Sequence, residues 1–375
     1  MAGIYLHIPF CKQACHYCDF HFSTQLGARP QMLKAILQEI GLQQGYLGKE
    51  PVSSIYFGGG TPSLLDSSEI STLLTAICDL YEVDQNAEIT LEANPDDLSE
   101  KKLAMLRKAG VNRLSIGIQS FHDPHLKFMN RAHTASEALD CLSIAENIGF
   151  DDLSIDLIYG LPADDHRIWE EDIRQALQLP INHISAYCLT IEPNTVFGNW
   201  LGKKKIRPIE EEFSATQFVL LCETLARQGF EQYEISNFCL PGHYSRHNSA
   251  YWQQKKYLGI GPSAHSFDGI DRQFNIAHNQ KYIKSLAELT IPCTIEHLTA
   301  VQRANEYLLT TIRTKWGSSM QKLEAIYPGW TQHFGKPIHA LLEKKLLDKK
   351  EDVLLLTDNG KLVADEITLQ LFLDE

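Results

Sequence analysis

Six short runs of β-branched and aromatic residues punctuate the first half of this 375-residue chain: IYLHI (4–8), SSIYF (53–57), EITLEA (88–93), RLSIGI (113–118), DLSIDLI (152–158) and HISAYCL (183–189). Amphipathic stretches of helical period separate them, at 30–45, 67–80, 98–109, 134–149 and 167–177, and one at 209–228 follows the sixth run. Such alternation predicts parallel strands joined by right-handed helical crossovers. The fold class is therefore α/β. Six units suit an open, partial (β/α)6 barrel, with a doubly wound sheet as the competing closure. Residues 230–275 lose the rhythm. They are rich in Gly, Asn, His, Ser and aromatics, and read as a long functional loop region. Helical period returns at 298–314, 318–326 and 335–345, followed by a short strand pair near VLLLT (353–357), a turn signal at Asn359-Gly360 and a last helix at 362–373. Three segments follow: a barrel over 1–229, a ligand-facing loop region and linker over 230–279, and a smaller, mostly helical, winged-helix-like C-terminal domain over 280–375.

Charge narrows the function. A net charge of −13 argues against a general nucleic-acid binder, which needs a basic face. The N-terminus lacks the basic and apolar segments of a signal peptide, and no run of about 18 apolar residues occurs. A cytoplasmic protein is the expectation.

Cysteine placement is uneven. Of nine cysteines, Cys11, Cys15 and Cys18 fall within eight residues as C-x3-C-x2-C, and the other six stand alone in apolar surroundings. Those six read as buried thiols. Three clustered thiolates permit two metal readings. A tetrahedral zinc would recruit a fourth ligand from His7, His16 or His21. A [4Fe–4S] cluster would hold three irons on the thiolates and leave the fourth open for a chelating ligand. The loop follows the first strand run, and loops at the carboxyl ends of barrel strands carry chemistry.

C-x3-C-x2-C is the signature of the radical S-adenosylmethionine (SAM) superfamily, and this segment resembles it, including the aromatic Tyr17 before the third cysteine. The resemblance implies a cluster on Cys11, Cys15 and Cys18, SAM on the open iron, and reductive cleavage of SAM to methionine and a 5′-deoxyadenosyl radical. Further ordered motifs, YLHIPFC, GGGTP, EANPDD, IGIQSF, MNRAH, IDLIYGLP, LTIEPNT and YEISNF, resemble the oxygen-independent coproporphyrinogen III oxidase family over most of residues 4–270. By that resemblance Tyr5, Gly59, Gly60, Thr61, Glu92, Gln119, Arg131 and Asp156 line the SAM site. Glycines let backbone groups approach a ligand, an amide and a carboxylate can bind ribose hydroxyls, and a guanidinium suits a carboxylate.

Two features depart from the oxidase. Where its cluster motif continues to a further cysteine, this chain has Phe20. Residues 246–252, RHNSAYW, resemble the H-N-x-x-Y-W motif of the family's heme-chaperone branch, HemW. That resemblance implies heme as cargo, with His247 as a candidate axial ligand, His243 and His265 as rivals, and Tyr251 and Trp252 as flat apolar faces. It also implies an apo-hemoprotein acceptor of respiratory, membrane-associated type, peripheral contact with the membrane, a reductase or flavodoxin-like electron donor, and a homodimer. Radical decarboxylation of coproporphyrinogen III is the alternative.

Overall fold

The computed structural model describes residues 1–374. Six parallel strands, β1 (Ala2–Ile8), β2 (Val52–Gly59), β3 (Val83–Ala93), β4 (Arg113–Gln119), β5 (Asp152–Tyr159) and β6 (His183–Cys188), lie side by side in chain order. The helices between them are α1 (Arg29–Leu42), α2 (Ser67–Leu80), α3 (Glu100–Ala109), α4 (Asp123–Phe128), α5 (Ala135–Ile148) and α6 (Arg167–Ala176). Sequential order decides between the two closures: every crossover advances the same way, so the sheet curls into a partial barrel, whereas a doubly wound sheet would reverse direction.

Local chemistry sets the helix ends. Asp66 with Glu69, and Thr134 with Glu137, form capping boxes that start α2 and α5. Gly110 and Gly149 stop α3 and α5 at φ 109° and 92°.

Strand period orients the walls. Successive strand residues point to opposite faces. Ile55, Phe57, Leu91, Leu114, Ile116, Ile155 and Leu157 pack beneath the helices in the main core. Their neighbours Tyr56, Thr90, Glu92, Ser115, Ser154, Asp156 and Ser185 line the lumen. The barrel therefore has an apolar outside and a polar inside.

The region read as loop, 230–275, is mostly regular structure. After α7 (Val196–Gly202) and α8 (Glu211–Arg227) come β7 (Glu231–Glu234), β8 (Asn237–Cys239), α9 (Arg246–Trp252), β9 (Tyr257–Ile260), β10 (His265–Phe267) and β11 (Arg272–Asn275). With β12 (Cys293–Glu296), beyond α10 (Asn279–Ala287), these strands extend both edges into one twelve-stranded sheet of order β12-β11-β10-β9-β1-β2-β3-β4-β5-β6-β8-β7. Strands of three or four residues are too short to show a period, which is why the sequence concealed them.

The C-terminal part has its own core around Trp330, Phe334, Leu308 and Leu354. It comprises α11 (Ala300–Thr311), β13 (Ser318–Ser319), α12 (Met320–Ile326), α13 (Trp330–Glu343), β14 (Leu347–Lys350), β15 (Val353–Leu356), α14 (Asp358–Lys361) and α15 (Ala364–Gln370). Helices with a three-stranded sheet of order β13-β15-β14 match the winged-helix-like expectation. The β14–β15 turn falls at Glu351, φ 53°, where Lys350 pairs with Val353; Asn359-Gly360 lies inside α14 instead. Among the described residues no helix is long and apolar enough to cross a membrane.

Candidate functional site

The cysteine loop leaves the carboxyl end of β1 and closes on itself. The Cys11 amide donates to Ser23 O at 3.1 Å, and Ser23 N to Pro9 O at 3.0 Å. Its far side is pinned by the segment after α4. His16 N donates to Met129 O at 3.0 Å, Asn130 Nδ2 to Ala14 O at 2.7 Å, and Gln13 Nε2 to Asn130 O at 2.8 Å. Asn130 holds φ 58°, a left-handed conformation that asparagine tolerates. Cys11, Cys15 and Cys18 are each half-buried and unbonded to one another. Burial raises the Cys11 thiol and pushes Cys18 up to about 12. Thr61 Oγ1 donates to Cys11 Sγ at 3.4 Å and Arg131 Nη1 to Cys15 Sγ at 3.3 Å, so two donors already face the sulfurs.

The zinc alternative fares poorly on geometry. His7 Nε2 donates to His21 O at 2.8 Å and its Nδ1 accepts from the Tyr5 hydroxyl at 3.2 Å. His16 Nδ1 donates to Phe128 O at 2.8 Å, and His21 Nε2 to Asn279 Oδ1 at 2.7 Å. All three candidate histidines are engaged elsewhere. Among the described residues no three His, Cys, Asp or Glu side chains converge as ligands of a single ion. A multi-iron cluster needs no such convergence, because each thiolate meets its own iron.

Cys11, Cys15, Cys18, Tyr17, Gly59, Gly60, Thr61, Glu92, Gln119, Arg131 and Asp156 all line one cavity of about 540 Å³ running down the lumen. Of the proposed SAM residues only Tyr5 lies off this wall. Its ring packs behind Tyr56 at 6.1 Å. Gly59 and Gly60 are glycines for a reason the sequence did not show. A Cβ on Gly59, at φ 103°, would sit 2.7 Å from the His7 ring, and one on Gly60 would sit 2.6 Å from Phe10 O. The Gly60 and Thr61 amides are spent on Ile8 O and Phe10 O, so this turn braces the cysteine loop.

Charge is gathered on the same wall. Glu92 accepts from the Tyr56 hydroxyl at 2.8 Å and from Gly59 N at 3.2 Å; burial pushes it up to about 7. Asp156 accepts from Ser115 Oγ at 3.3 Å and is pushed up to about 6, again by burial. Arg131 spans the site, with Nη2 donating to Asn94 Oδ1 at 2.7 Å and Gly117 O at 2.8 Å. Gln119 ends β4 at φ 70°, strain that turns its amide toward the lumen. Thr90 Oγ1 is buried without a partner on the same wall. The wall residues Thr90, Arg113, Ser115, Ser154, His183, Ser185 and Tyr187 were missed in the sequence. Their signal was there: each is an alternate polar position in a buried strand.

The heme candidates do not converge. His247 lies in α9, which closes the lower end of the lumen with Ser245 and Asn248. Its ring stacks on Tyr56 at 5.0 Å, Nδ1 shares a 2.9 Å hydrogen bond with Ser54 Oγ, and burial lowers its pKa to about 4. Tyr251 is 39% exposed, against Tyr257, and Trp252 lies under the Arg313 guanidinium. His243 sits 3.4 Å from Asp152, and His265 stacks on Phe274 in a separate open hollow. Phe20, 68% exposed, stands at the cavity mouth.

Residues 5–176 match the Radical SAM superfamily. The chain is 34% identical to the heme chaperone HemW of Bacillus subtilis, covering 98% of each protein. It is 32% identical to the heme chaperone HemW of Escherichia coli, across 100% of this chain and 98% of that one. The fold of coproporphyrinogen III oxidase (HemN) from Escherichia coli superposes with a TM-score of 0.85 at 23% identity, over 99% of this chain and 90% of that one.

Proposed function

Because the chain belongs to the HemW heme-chaperone family of the radical SAM superfamily, we propose that it binds heme and delivers it to apo-hemoproteins, with a [4Fe–4S] cluster and SAM held in the barrel lumen. One observation carries the reading: 34% identity to a heme chaperone over 98% of the chain. The likeness to HemN concerns the fold alone.

The residues present fit both cofactors. Cys11, Cys15 and Cys18 offer three soft thiolate ligands on a pinned loop. The reduced cluster, when bound, supplies one electron to SAM. Thr61 and Arg131 donate to the sulfurs, which favours the electron-rich form of the site. Glu92, Asp156 and Gln119 line the cavity and would offer carboxylates and an amide to the ribose and the cationic end of SAM. Burial holds the two carboxyls near neutrality, so a cation entering the lumen would favour their ionised forms. The helices pack outside the strands, and the start of α9 lines the lumen through Ser245 and Asn248.

For the heme, Tyr251 supplies an exposed aromatic face beside the half-buried Trp252, while His247 reaches heme only if α9 shifts from its seat on Tyr56. The acceptor is an apo-hemoprotein, of respiratory, membrane-associated kind in the same reading. A flavodoxin-like donor would feed the cluster.

Anaerobic heme titration of the cluster-loaded protein, followed by optical difference spectra, tests the proposal. Saturable, stoichiometric binding and transfer to an apo-hemoprotein are expected. Absence of saturable binding overturns it, and formation of protoporphyrinogen from coproporphyrinogen would replace it with the decarboxylase.

A further inference from the structure

We infer that the basic face carried by α7 and the turn after it docks an acidic one-electron carrier protein, with Trp200 and His16 as the contact path to the cysteine loop. This rests on the cluster reading above.

Lys203, Lys204, Lys205 and Arg207 form an exposed cationic run in a chain of net charge −13. Lys127, exposed on α4, belongs to the same neighbourhood, since the adjacent Phe128 ring stacks on Phe197 of α7 at 4.5 Å. Among the described residues none of these five cations has an ion pair, which is equally true of the exposed Lys344, Lys345, Lys349 and Lys350; what sets the five apart is that the segments carrying them contact the cysteine loop. The acidic run 210–212 belongs to the start of α8 and leaves these side chains unpaired. Clustered, unpaired positive charge serves steering of an anionic partner better than it serves stability.

The patch is built onto the cysteine loop. Phe197 N donates to His16 O at 3.0 Å, and the Trp200 ring meets the His16 ring edge-on at 4.7 Å. His16 is the residue next to Cys15. Trp200 is also a wall of a surface hollow of about 360 Å³ with Val196, Asn199, Lys203 and Lys205. An aromatic pair therefore links the cationic hollow to a position one residue from a cluster thiolate. In the step, one electron leaves the reduced carrier and enters the cluster on Cys11, Cys15 and Cys18; no bond forms or breaks and no proton moves.

The test uses the full chain with its cluster reconstituted and flavodoxin hydroquinone as the probe. Stopped-flow bleaching of the cluster gives the second-order rate over rising salt, and titration with oxidised flavodoxin gives the affinity. For Lys203→Glu/Lys204→Glu/Lys205→Glu the low-salt rate should fall at least about tenfold and its salt dependence should flatten. Affinity should weaken, while iron content and reduction by dithionite stay as in the wild type. Trp200→Ala should keep the affinity and slow reduction at saturating carrier. If the Glu variant loses iron, the triple Lys→Gln variant is read instead, with the same expected direction. Unchanged rate, affinity and salt slope overturn the assignment. Loss of binding to phosphatidylserine vesicles with the flavodoxin rate intact also overturns it, and gives the patch to a lipid surface. A wild-type protein that takes up no iron and sulfide would instead sink the cluster reading itself.

Discussion

The two ends of the lumen are built from the same strands and are finished in opposite ways. Toward the mouth, side chains of β3, β4 and β5, Arg131 and the cysteine loop line the cavity: Glu92, Gln119, Arg131 and Asp156 surround it, and Cys11 and Cys15 meet donors while the three thiols stay unbonded to each other. At the base, polar groups are consumed by the protein. Glu88 accepts the amides of Arg246 at 2.8 Å and His247 at 3.0 Å, where α9 begins, and Ser54 takes His247 Nδ1. A carboxylate at a helix amino end satisfies orphan amides and the helix dipole together. One end is an acceptor for ligands, and the other is a plug.

That contrast breaks first at the mouth. Cys15→Ala should remove the reconstituted cluster altogether, with iron and acid-labile sulfide falling to background, because two remaining thiolates cannot hold it. Circular dichroism and the thermal midpoint of the metal-free protein should barely move, since Cys15 is half-buried and its chief partner is Arg131. Cluster retention in this variant would mean that another residue supplies the third ligand.

The base responds in the other currency, stability. Truncating His247 empties a site packed against Tyr5 and Tyr56 and strands Ser54. His247→Ala should cost about 1–3 kcal/mol in chemical denaturation, below a full core truncation because the residue is only partly buried. Heme binding by the folded fraction then reports on α9 itself. If the variant is as stable as the wild type yet loses the heme spectrum, His247 is a ligand and the plug description fails.

Much of the mouth was legible in the sequence because its residues sit in motifs at strand ends, and strand ends are marked by the change from alternating period to Gly, Asn and Pro. GGGTP, EANPDD and IGIQSF each placed a side chain on the cavity wall. The base was hidden. Nothing in RHNSAYW distinguishes a loop that offers its histidine from a helix that buries it; that depends on Gly3, where an added Cβ would sit 3.1 Å from His247 Nδ1. Asn130 was equally opaque. It lies in MNRAH beside Arg131, and its task, clamping Ala14 O, spans 116 residues. The strands β7 to β12 escaped notice because pairing with distant edges, rather than their own composition, makes them strands.

A pH series sharpens the mouth further. Glu92 is pushed up to about 7 from an ordinary value of 4.5, so the unfolded chain loses this proton first. Between those values the native state holds more protons, and stability must fall as pH rises. Glu92→Gln removes that slope. Its denaturation free energy should equal the wild type's below pH 4.5 and exceed it above pH 7, by about 1–2 kcal/mol after allowing for the solvent in the cavity. Asp156, pushed up to about 6, leaves a residual slope of the same sign in the variant. An unchanged slope would mean that Glu92 ionises freely and the mouth is wetter than its walls imply.

The smallest effect is expected where α9 emerges from the protein. Tyr251 and Trp252 share a helix with His247 but lie away from Tyr56: Tyr251 is 39% exposed, and Trp252 is half-buried, touching Tyr251 at 5.2 Å and the Arg313 guanidinium at 5.8 Å. Removing an exposed aromatic deletes little buried area, so Tyr251→Ala should change stability by less than about 1 kcal/mol. Trp252→Ala should cost more than Tyr251→Ala, because it removes a half-buried ring and the cation–π contact, worth about 0.5–1 kcal/mol or more. Denaturation curves of the two single variants and of His247→Ala, run side by side, place all three on one scale. Equal losses at the three positions would show that the helix packs as a unit, with no inward and outward sides. A steep loss at His247 with shallow losses at its neighbours would show that one short helix anchors to the barrel through its first turn and leaves Tyr251 accessible to a partner.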